Sequence, residues 1–134
     1  MNDPMPSPAV LLVDDDPTTR FFLRNALDSV GLRILEADRG DRGVALFNEH
    51  RPRLAIVDYR MAGMDGIECC RRLRENAEGG PLTIFMLTGR DDADLPDRAR
   101  AAGADRFFHK PIHWLGLACT ARDALRTGAP GSPA

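Results

Sequence analysis

The chain has 134 residues, of which 43% are hydrophobic and 28% are charged, so it is long enough for one domain with a sizeable core and too short for two. Its 18 basic and 20 acidic residues give a net charge of -2, which provides no general attraction to nucleic acid or to an anionic membrane. Residues 1–9 lack the basic start and apolar centre of a signal peptide, and no later run approaches the roughly 20 apolar residues of a membrane span. We therefore expect a soluble cytoplasmic protein.

Short apolar runs alternate with helical patterns along the chain. Runs of Val, Ile, Leu and Phe with little alternation predict five strands covered on both faces, at 10–13, 33–37, 54–57, 82–87 and 106–109. The predicted helices that follow them cover 17–30, 41–50, 66–76, 94–102 and 114–125. Residues 1–9 and 127–134, rich in Pro, Gly and Ser, are expected to be a flexible arm and a flexible tail around one domain at 10–126.

Several helix ends have clear local signals. Asp16 is interpreted as the N-cap of the first helix, with Pro17 at its first position and Gly31 as its stop. Asp65 is the predicted cap of the third helix. The fourth helix has Leu95 as its single large apolar residue, so we expect it to be lightly anchored and mobile.

Aromatic residues mark the first and last helices. We interpret the Phe21–Phe22 pair as core residues, with Phe21 as an exception if it points away from the sheet. In the last helix, Trp114, Leu117, Ala121 and Leu125 form one apolar stripe that is expected to dock on the sheet.

The cysteines and histidines show no metal-ligand spacing. They are Cys69, Cys70, Cys119, His50, His109 and His113. We interpret the cysteines as reduced thiols packed as small hydrophobic side chains, which suits a reducing cytoplasm. The histidines are assigned structural or surface roles.

A chain of alternating strands and helices forms right-handed crossovers and therefore a doubly wound parallel sheet, whose ligand crevice lies at the carboxyl ends of the strands. The unusual polar residues all follow predicted strands: Asp14, Asp15, Asp16, Asp58, Thr88 and Lys110. Clustered carboxylates raise one another's pKa unless a cation offsets them, and hard oxygen ligands suit Mg²⁺. A transferring phosphoryl group needs a nucleophile, a cation and hydrogen-bond donors, so this set predicts phosphoryl chemistry.

Five motifs in order carry a family resemblance: LLVDDDP, AIVDYRMAGMDG, MLTGRDD, GAD and FFHKPI. Together they resemble the receiver domains of two-component response regulators, in particular those similar to chemotaxis regulators. The resemblance implies a flavodoxin-like (βα)5 fold, an α/β three-layer sandwich around a five-stranded parallel sheet of order 2-1-3-4-5.

The resemblance also implies roles for the residues of the acidic site. Asp58 matches the phosphoacceptor, and Asp14 and Asp15 match the acidic pair that binds Mg²⁺ together with Asp58. Arg60 stands where the family uses a backbone carbonyl as a further metal ligand.

Three further positions correspond to the residues that bind the phosphoryl group and respond to it. Lys110, followed by Pro111 in what is a cis-proline turn in the family, matches the phosphate-binding lysine. Thr88 matches the switch hydroxyl and Phe107 the rotating aromatic residue. The implied switch changes the face made by helix four, strand five and helix five.

Three positions qualify the match. Ala62 replaces the usual proline after the phosphoacceptor, which we expect to loosen that loop. Arg60 and Arg90 occupy positions that tune the phosphoryl lifetime in the family, and as a hypothesis their charges retain the phosphoryl group longer than neutral residues would. The alternative for Arg90 is a solvated surface charge.

The implied partners are a sensor histidine kinase or a histidine phosphotransfer protein as phosphodonor and an unidentified downstream protein. Homodimerisation through the switching face remains open. The protein is then a signalling switch that catalyses its own phosphorylation and dephosphorylation, without direct contact to nucleic acid or membrane. The sequence leaves open whether it is a stand-alone regulator or the receiver of a longer one.

Two alternatives remain. Asp14, Asp16 and Thr18 also fit the DxDxT pattern of phosphatases of the haloacid dehalogenase type, in which Asp14 would be the nucleophile and Asp16 the acid. The chain lacks the later acidic pair and the cap domain of such enzymes. Alternatively, the chain is a degenerate receiver that acts as a constitutive binding module, although the full set of Asp, Thr and Lys residues argues against this.

Overall fold

The computed structural model describes residues 10–89 and 95–127, in which five strands alternate with five helices. The strands are β1 (Val10–Val13), β2 (Ile34–Ala37), β3 (Leu54–Asp58), β4 (Thr83–Thr88) and β5 (Arg106–His109). The helices are α1 (Pro17–Ser29), α2 (Gly40–His50), α3 (Gly66–Ala77), α4 (Leu95–Ala102) and α5 (Trp114–Thr127). All the predicted elements are confirmed, with ends shifted by one or two residues. The predicted arm at 1–9, most of the predicted tail and Arg90 lie outside the described residues.

The strands form one parallel sheet in the order β2-β1-β3-β4-β5, which confirms the predicted flavodoxin-like topology. This order makes β1 and β3 neighbours although a strand and two helices separate them in the chain. Because Val13 pairs with Val57, the residues that follow them, Asp14 and Asp58, come side by side at the same edge of the sheet.

Each face of the sheet carries its own core, which explains why the strands show so little alternation. Val10 and Leu12 in β1 pack on the face covered by α1 and α5. Their neighbours Leu11 and Val13 pack on the face covered by α2, α3 and α4. The molecule is therefore a three-layer sandwich with helices on both sides of the sheet. No described helix is long and apolar enough to cross a membrane.

The start and end of α1 follow the local signals in its sequence. The Asp16 carboxylate accepts hydrogen bonds from the Thr18 amide at 3.2 Å and from the Thr19 hydroxyl at 2.8 Å. Both bonds lower the pKa of Asp16, and the bond from the Thr19 hydroxyl has the larger effect. Gly31 adopts φ of 86°, the left-handed conformation that ends helices. Asp16 is thus a helix cap, as predicted.

The prediction that Phe22 lies in the core is wrong, whereas Phe21 is the exception that the prediction allowed. Phe21 is 50% exposed and Phe22 is 43% exposed, whereas Leu23 and Leu27 are fully buried against the sheet. A helix turns by about 100° per residue, so a stripe that runs through Leu23 and Leu27 leaves position 22 at its margin. There the Phe22 ring stacks on Trp114 at 5.7 Å between centroids.

The apolar stripe of α5 is largely confirmed. Leu117 and Ala121 are fully buried, and Trp114 and Leu125 are half-buried against the same core. In α4, Leu95 is fully buried as the single large apolar anchor, with Ala99 and Ala102 beside it. The mobility of α4 remains a prediction.

The vicinal cysteines of α3 are confirmed as packed thiols. Cys69 and Cys70 are unpaired and fully buried in the core beneath the sheet. Burial raises the pKa of the Cys69 thiol to about 12 and raises that of Cys70 as well. Both residues therefore stay protonated at neutral pH, in the unreactive form.

Gly66, the first residue of α3, allows this helix to start directly beneath the end of β3. A Cβ atom at position 66 would lie 2.6 Å from the carbonyl oxygen of Asp58 and 2.7 Å from Cα of Tyr59. Its amide donates to the Tyr59 carbonyl at 2.9 Å. A side chain here would push the helix away from the strand that carries Asp58.

Arg74 in α3 ties together the segments that lead into β4 and β5. Its guanidinium donates to the carbonyls of Leu82 at 2.6 Å and Gly103 at 2.7 Å, and to the Asp105 carboxylate at 2.9 Å. Asp105 in turn accepts the backbone amide of Ile84 at 2.8 Å. One side chain thus fixes the ends of two neighbouring strands.

We expect Arg74→Met, which keeps the aliphatic stem, to lower the free energy of unfolding by about 1–3 kcal/mol, because it leaves two carbonyls and a carboxylate without their donor. Urea denaturation measures this loss. The control is Arg71→Met on the same helix, where the exposed Arg71 pairs with Glu68; a change within about 0.5 kcal/mol is expected there. Equal effects of the two substitutions would contradict the proposed role of Arg74.

Candidate functional site

The polar residues predicted from strand ends do come together at one edge of the sheet. Asp14 follows β1, Asp58 ends β3, Thr88 ends β4 and Lys110 follows β5. Parallel strands direct all these ends to the same side, so the site is assembled from four separate segments of the chain.

Three carboxylates form the centre of the site. One oxygen atom from each of Asp14, Asp15 and Asp58 lies within 4.8 Å of the others. Asp14 is fully buried and Asp58 is 3% exposed, whereas Asp15 faces solvent. Two of the three negative charges are therefore removed from water, which is costly unless a proton or a cation compensates them.

Asp14 has an oxygen atom for which the described structure offers no partner. Its Oδ1 accepts the amide of Asp16 at 2.9 Å, but its buried Oδ2 accepts no hydrogen bond. Burial is the main cause that raises the pKa of Asp14 to about 7. The hydrogen bond from the Asp16 amide lowers this pKa, and the negative charge of Asp58 raises it. At neutral pH this carboxyl group is poised between binding a proton and binding a cation.

Asp58 is paired with Lys110. The Lys110 ammonium lies 2.8 Å from Oδ1 of Asp58. Burial raises the pKa of Asp58 although Lys110 opposes the shift. Burial alone would lower the pKa of Lys110, but the hydrogen bond and the charge of Asp58 outweigh it, so that this pKa is raised. Lys110 therefore stays a cation beside the carboxylate of Asp58.

The donor set fits a magnesium ion. Mg²⁺ prefers carboxylate and carbonyl oxygens, and the Oδ2 atom of Asp14 is such an oxygen with no hydrogen-bond partner within residues 10–89 and 95–127. Asp14, Asp15 and Asp58 could hold the ion together. Arg60 lies in the loop after β3 and lines the same shallow depression as Asp15.

Ala62 was expected to loosen the loop after β3 because it replaces a proline, and that looseness remains a prediction; the structure shows a further consequence of the replacement. Its backbone amide donates to Oδ2 of Asp15 at 3.1 Å, across 47 positions of sequence. Proline has no amide hydrogen and could not make this bond. The replacement therefore connects the loop to one of the three clustered carboxylates.

Thr88 has a partner that the sequence analysis did not identify. Its hydroxyl, in a side chain that is 1% exposed, lies 3.0 Å from Nδ1 of His109 at the end of β5. His109 had been assigned a structural or surface role. The sequence could have indicated this contact, because both residues are polar and lie at the carboxyl ends of two strands that are neighbours in the predicted sheet.

Phe107 lies on β5, two residues before His109. Its ring is half-buried against the core formed by α2, α3 and α4, and the Arg100 guanidinium of α4 lies 5.1 Å from the ring centroid. The Lys110–Pro111 peptide bond is cis, as the resemblance implies.

The chain matches one protein family over most of its length. The family model described as response regulator receiver domain covers residues 10–118. The transcriptional regulatory protein AfsQ1 of Streptomyces coelicolor is 36% identical over 121 residues, which are 90% of this chain and 52% of that protein. The virulence sensor protein BvgS of Bordetella pertussis is 35% identical over 136 residues, covering 97% of this chain and 11% of that protein. The chain thus spans about half the length of the first relative and about a tenth of the second.

Solved structures of similar proteins have the same fold. The chemotaxis protein CheY4 of Vibrio cholerae superposes with a TM-score of 0.80 at 25% identity, covering 88% of this chain and 98% of that chain. A probable two-component system response regulator with a GGDEF domain gives a TM-score of 0.81 at 32% identity, covering 89% of this chain and 49% of that chain. The family model, the sequence relatives and the fold agree, and the chain belongs to the receiver domains of two-component response regulators.

Proposed function

We propose that the chain is a phosphorylation switch in which Asp58 accepts a phosphoryl group from a histidine kinase or a histidine phosphotransfer protein in a Mg²⁺-dependent reaction. One observation carries the proposal. Asp58 is a buried carboxylate that lies 2.8 Å from the Lys110 ammonium and has two further carboxylates within 4.8 Å. A carboxylate nucleophile, a cationic donor and a set of possible metal ligands therefore lie close together.

In the proposed step, a carboxylate oxygen of Asp58 attacks the phosphorus of a phosphohistidine. A P–O bond forms as the P–N bond breaks, and the electron pair returns to the imidazole nitrogen, which takes a proton from solvent. Lys110 is already beside Asp58 and would pair with the phosphoryl oxygens of the resulting acyl phosphate.

Asp14, Asp15 and Asp58 would hold the magnesium ion, with the backbone carbonyl of Arg60 as a further ligand by analogy with the family. Bound there, Mg²⁺ supplies positive charge that offsets the carboxylates and the transferring phosphoryl group. Burial of Asp14 and Asp58 strengthens every one of these charge interactions by excluding water.

The proposed output is a change in the face formed by α4, β5 and α5. Thr88 would turn toward the phosphoryl group and Phe107 would move inward, so that a protein partner or a second copy of the chain meets a different surface. Support comes from the register of β4 and β5, which pairs Met86 with Phe107 and Thr88 with His109. The domain would thus catalyse its own phosphorylation and dephosphorylation and signal through protein contacts.

Incubation with phosphoramidate and Mg²⁺ is expected to add one phosphoryl group to the chain, measurable by intact mass, and Asp58→Asn should abolish it. Borohydride reduction followed by peptide mass spectrometry should locate the acyl phosphate at Asp58. The matched control is Asp16→Asn. It changes the aspartate next to Asp15 to asparagine, which is also a good helix-capping residue, and should leave the labelling of Asp58 intact.

Two outcomes would reverse the assignment. A label on Asp14 that survives Asp58→Asn would indicate the phosphatase chemistry of the DxDxT pattern. Absence of any label in the wild-type chain with Mg²⁺ present would indicate a degenerate receiver that acts through constitutive binding.

The pKa of Asp14 predicts how the metal-free protein responds to pH. Between the ordinary value of 3.8 and about 7, the folded state retains a proton that the unfolded chain has released. The free energy of unfolding therefore decreases as pH rises through this window, by roughly 2–4 kcal/mol in total. Urea denaturation at pH 5 and pH 7.5 in the presence of a chelator should detect the loss.

Two variants and an experiment with added Mg²⁺ test whether this loss of stability comes from the acidic cluster. Asp14→Asn should remove the part of the pH dependence that Asp14 contributes and leave that of Asp58, whose pKa is also raised, because a neutral amide carries no charge to desolvate. Asp16→Asn should retain the wild-type pH dependence in this range. Mg²⁺ should restore stability in the wild-type chain more at pH 7.5 than at pH 5, since metal ligands must be deprotonated. If Asp14→Asn has the wild-type pH profile, the assignment of the shift to Asp14 is wrong.

A further inference from the structure

The hydrogen bond between Thr88 and His109 joins two residues that are direct neighbours across the sheet. Thr88 ends β4, His109 ends β5, and the register of the two strands pairs these residues. The Thr88 hydroxyl is buried and lies 3.0 Å from Nδ1 of His109, while the His109 side chain is largely exposed. An exposed residue therefore holds a buried hydroxyl.

The direction of this bond follows from the strand order. β4 lies between β3, which carries Asp58, and β5, which carries His109. The residue before Thr88, Leu87, pairs with Asp58 on one side, whereas the Thr88 hydroxyl bonds to the strand on the other side. The hydroxyl is thus held on the β5 side of β4, opposite to the strand that carries Asp58.

His109 supplies a polar partner for the Thr88 hydroxyl, which Phe107 on the same strand cannot provide. Phe107 has no hydroxyl group, and its ring instead packs beneath the Arg100 guanidinium. The imidazole Nδ1 can accept the hydroxyl proton or donate its own, depending on the tautomer. Either arrangement keeps the Thr88 oxygen close to His109.

We propose that His109 is a positioning residue that holds the Thr88 hydroxyl toward β5 in the unphosphorylated protein and thereby opposes the activated arrangement. The inference rests on the proposed function, in which Thr88 must turn toward a phosphoryl group on Asp58. That turn breaks the bond to His109, so the bond lowers the affinity of the site for a phosphoryl group. One neutral hydrogen bond of this kind corresponds to about a twofold to tenfold effect on the equilibrium.

Beryllofluoride, a phosphoryl mimic, tests this inference when it is titrated in the presence of Mg²⁺ and binding is followed by calorimetry. His109→Phe keeps an aromatic ring but removes both nitrogens, and we expect it to bind beryllofluoride about two to ten times more tightly than the wild-type chain. His109→Asn retains a polar atom near the position of Nδ1 and should bind with nearly wild-type affinity. Circular dichroism verifies that the variants are folded.

A double-mutant cycle separates positioning of Thr88 from a general effect on the fold. In the Thr88→Val background the hydroxyl is absent, so His109→Phe should leave the affinity for beryllofluoride unchanged. An equal gain in both backgrounds, or no gain in the wild-type background, would overturn the role of His109. Phosphoramidate labelling of Asp58 in the same variants tests the proposed function separately, because labelling persists when only the role of His109 is wrong.

Discussion

The burial of two carboxylates at adjacent strand ends is the constraint on which the rest of the site depends. Asp14 and Asp58 lose nearly all contact with water because β1 and β3 are neighbours at the centre of a sheet covered on both faces. Lys110 compensates one of them directly, at 2.8 Å from Asp58. Asp14 keeps a buried oxygen that has no hydrogen-bond partner among the described residues, and burial of this carboxyl group raises its pKa to about 7.

This imbalance favours the proposed binding of a cation. A carboxyl group that is fully compensated within the protein would have little to gain from a cation, whereas the remaining oxygen of Asp14 would gain a partner from a bound metal ion. The same burial is expected to destabilise the metal-free fold at neutral pH and to strengthen the interactions on which phosphoryl transfer would depend. Burial of the carboxylates would therefore lower the stability of the metal-free fold while it favours the proposed chemistry.

The sheet also places the proposed phosphorylation site close to an exposed side chain. Asp58, Thr88 and His109 lie on three successive strands, so a change at Asp58 needs to cross one strand to reach an exposed side chain. Similar domains occur within a transcriptional regulatory protein and a virulence sensor protein, both much longer than this chain. A fold shared by such different proteins does not define the output, which must depend on the surface that each domain presents.

The local sequence was sufficient to predict the elements and the polar residues that meet at the edge of the sheet, apart from His109. Continuous apolar runs, the Asp16 and Asp65 caps and the position of each polar residue after a strand all follow from short-range preferences, and the structure confirms these elements and caps. The motifs also identified the family, and with it the strand order that makes β1 and β3 neighbours.

Only the tertiary structure decided which atoms meet. The burial of an Asp14 oxygen that has no partner in the described part of the chain depends on strand register and side-chain direction between distant segments. The same holds for the bond from Ala62 to Asp15 and the bond from Thr88 to His109. The exposure of Phe22 likewise depends on how α1 is rotated against the sheet. Local preferences determine where elements begin and end, but these contacts join residues far apart in sequence and exist only once the elements have packed.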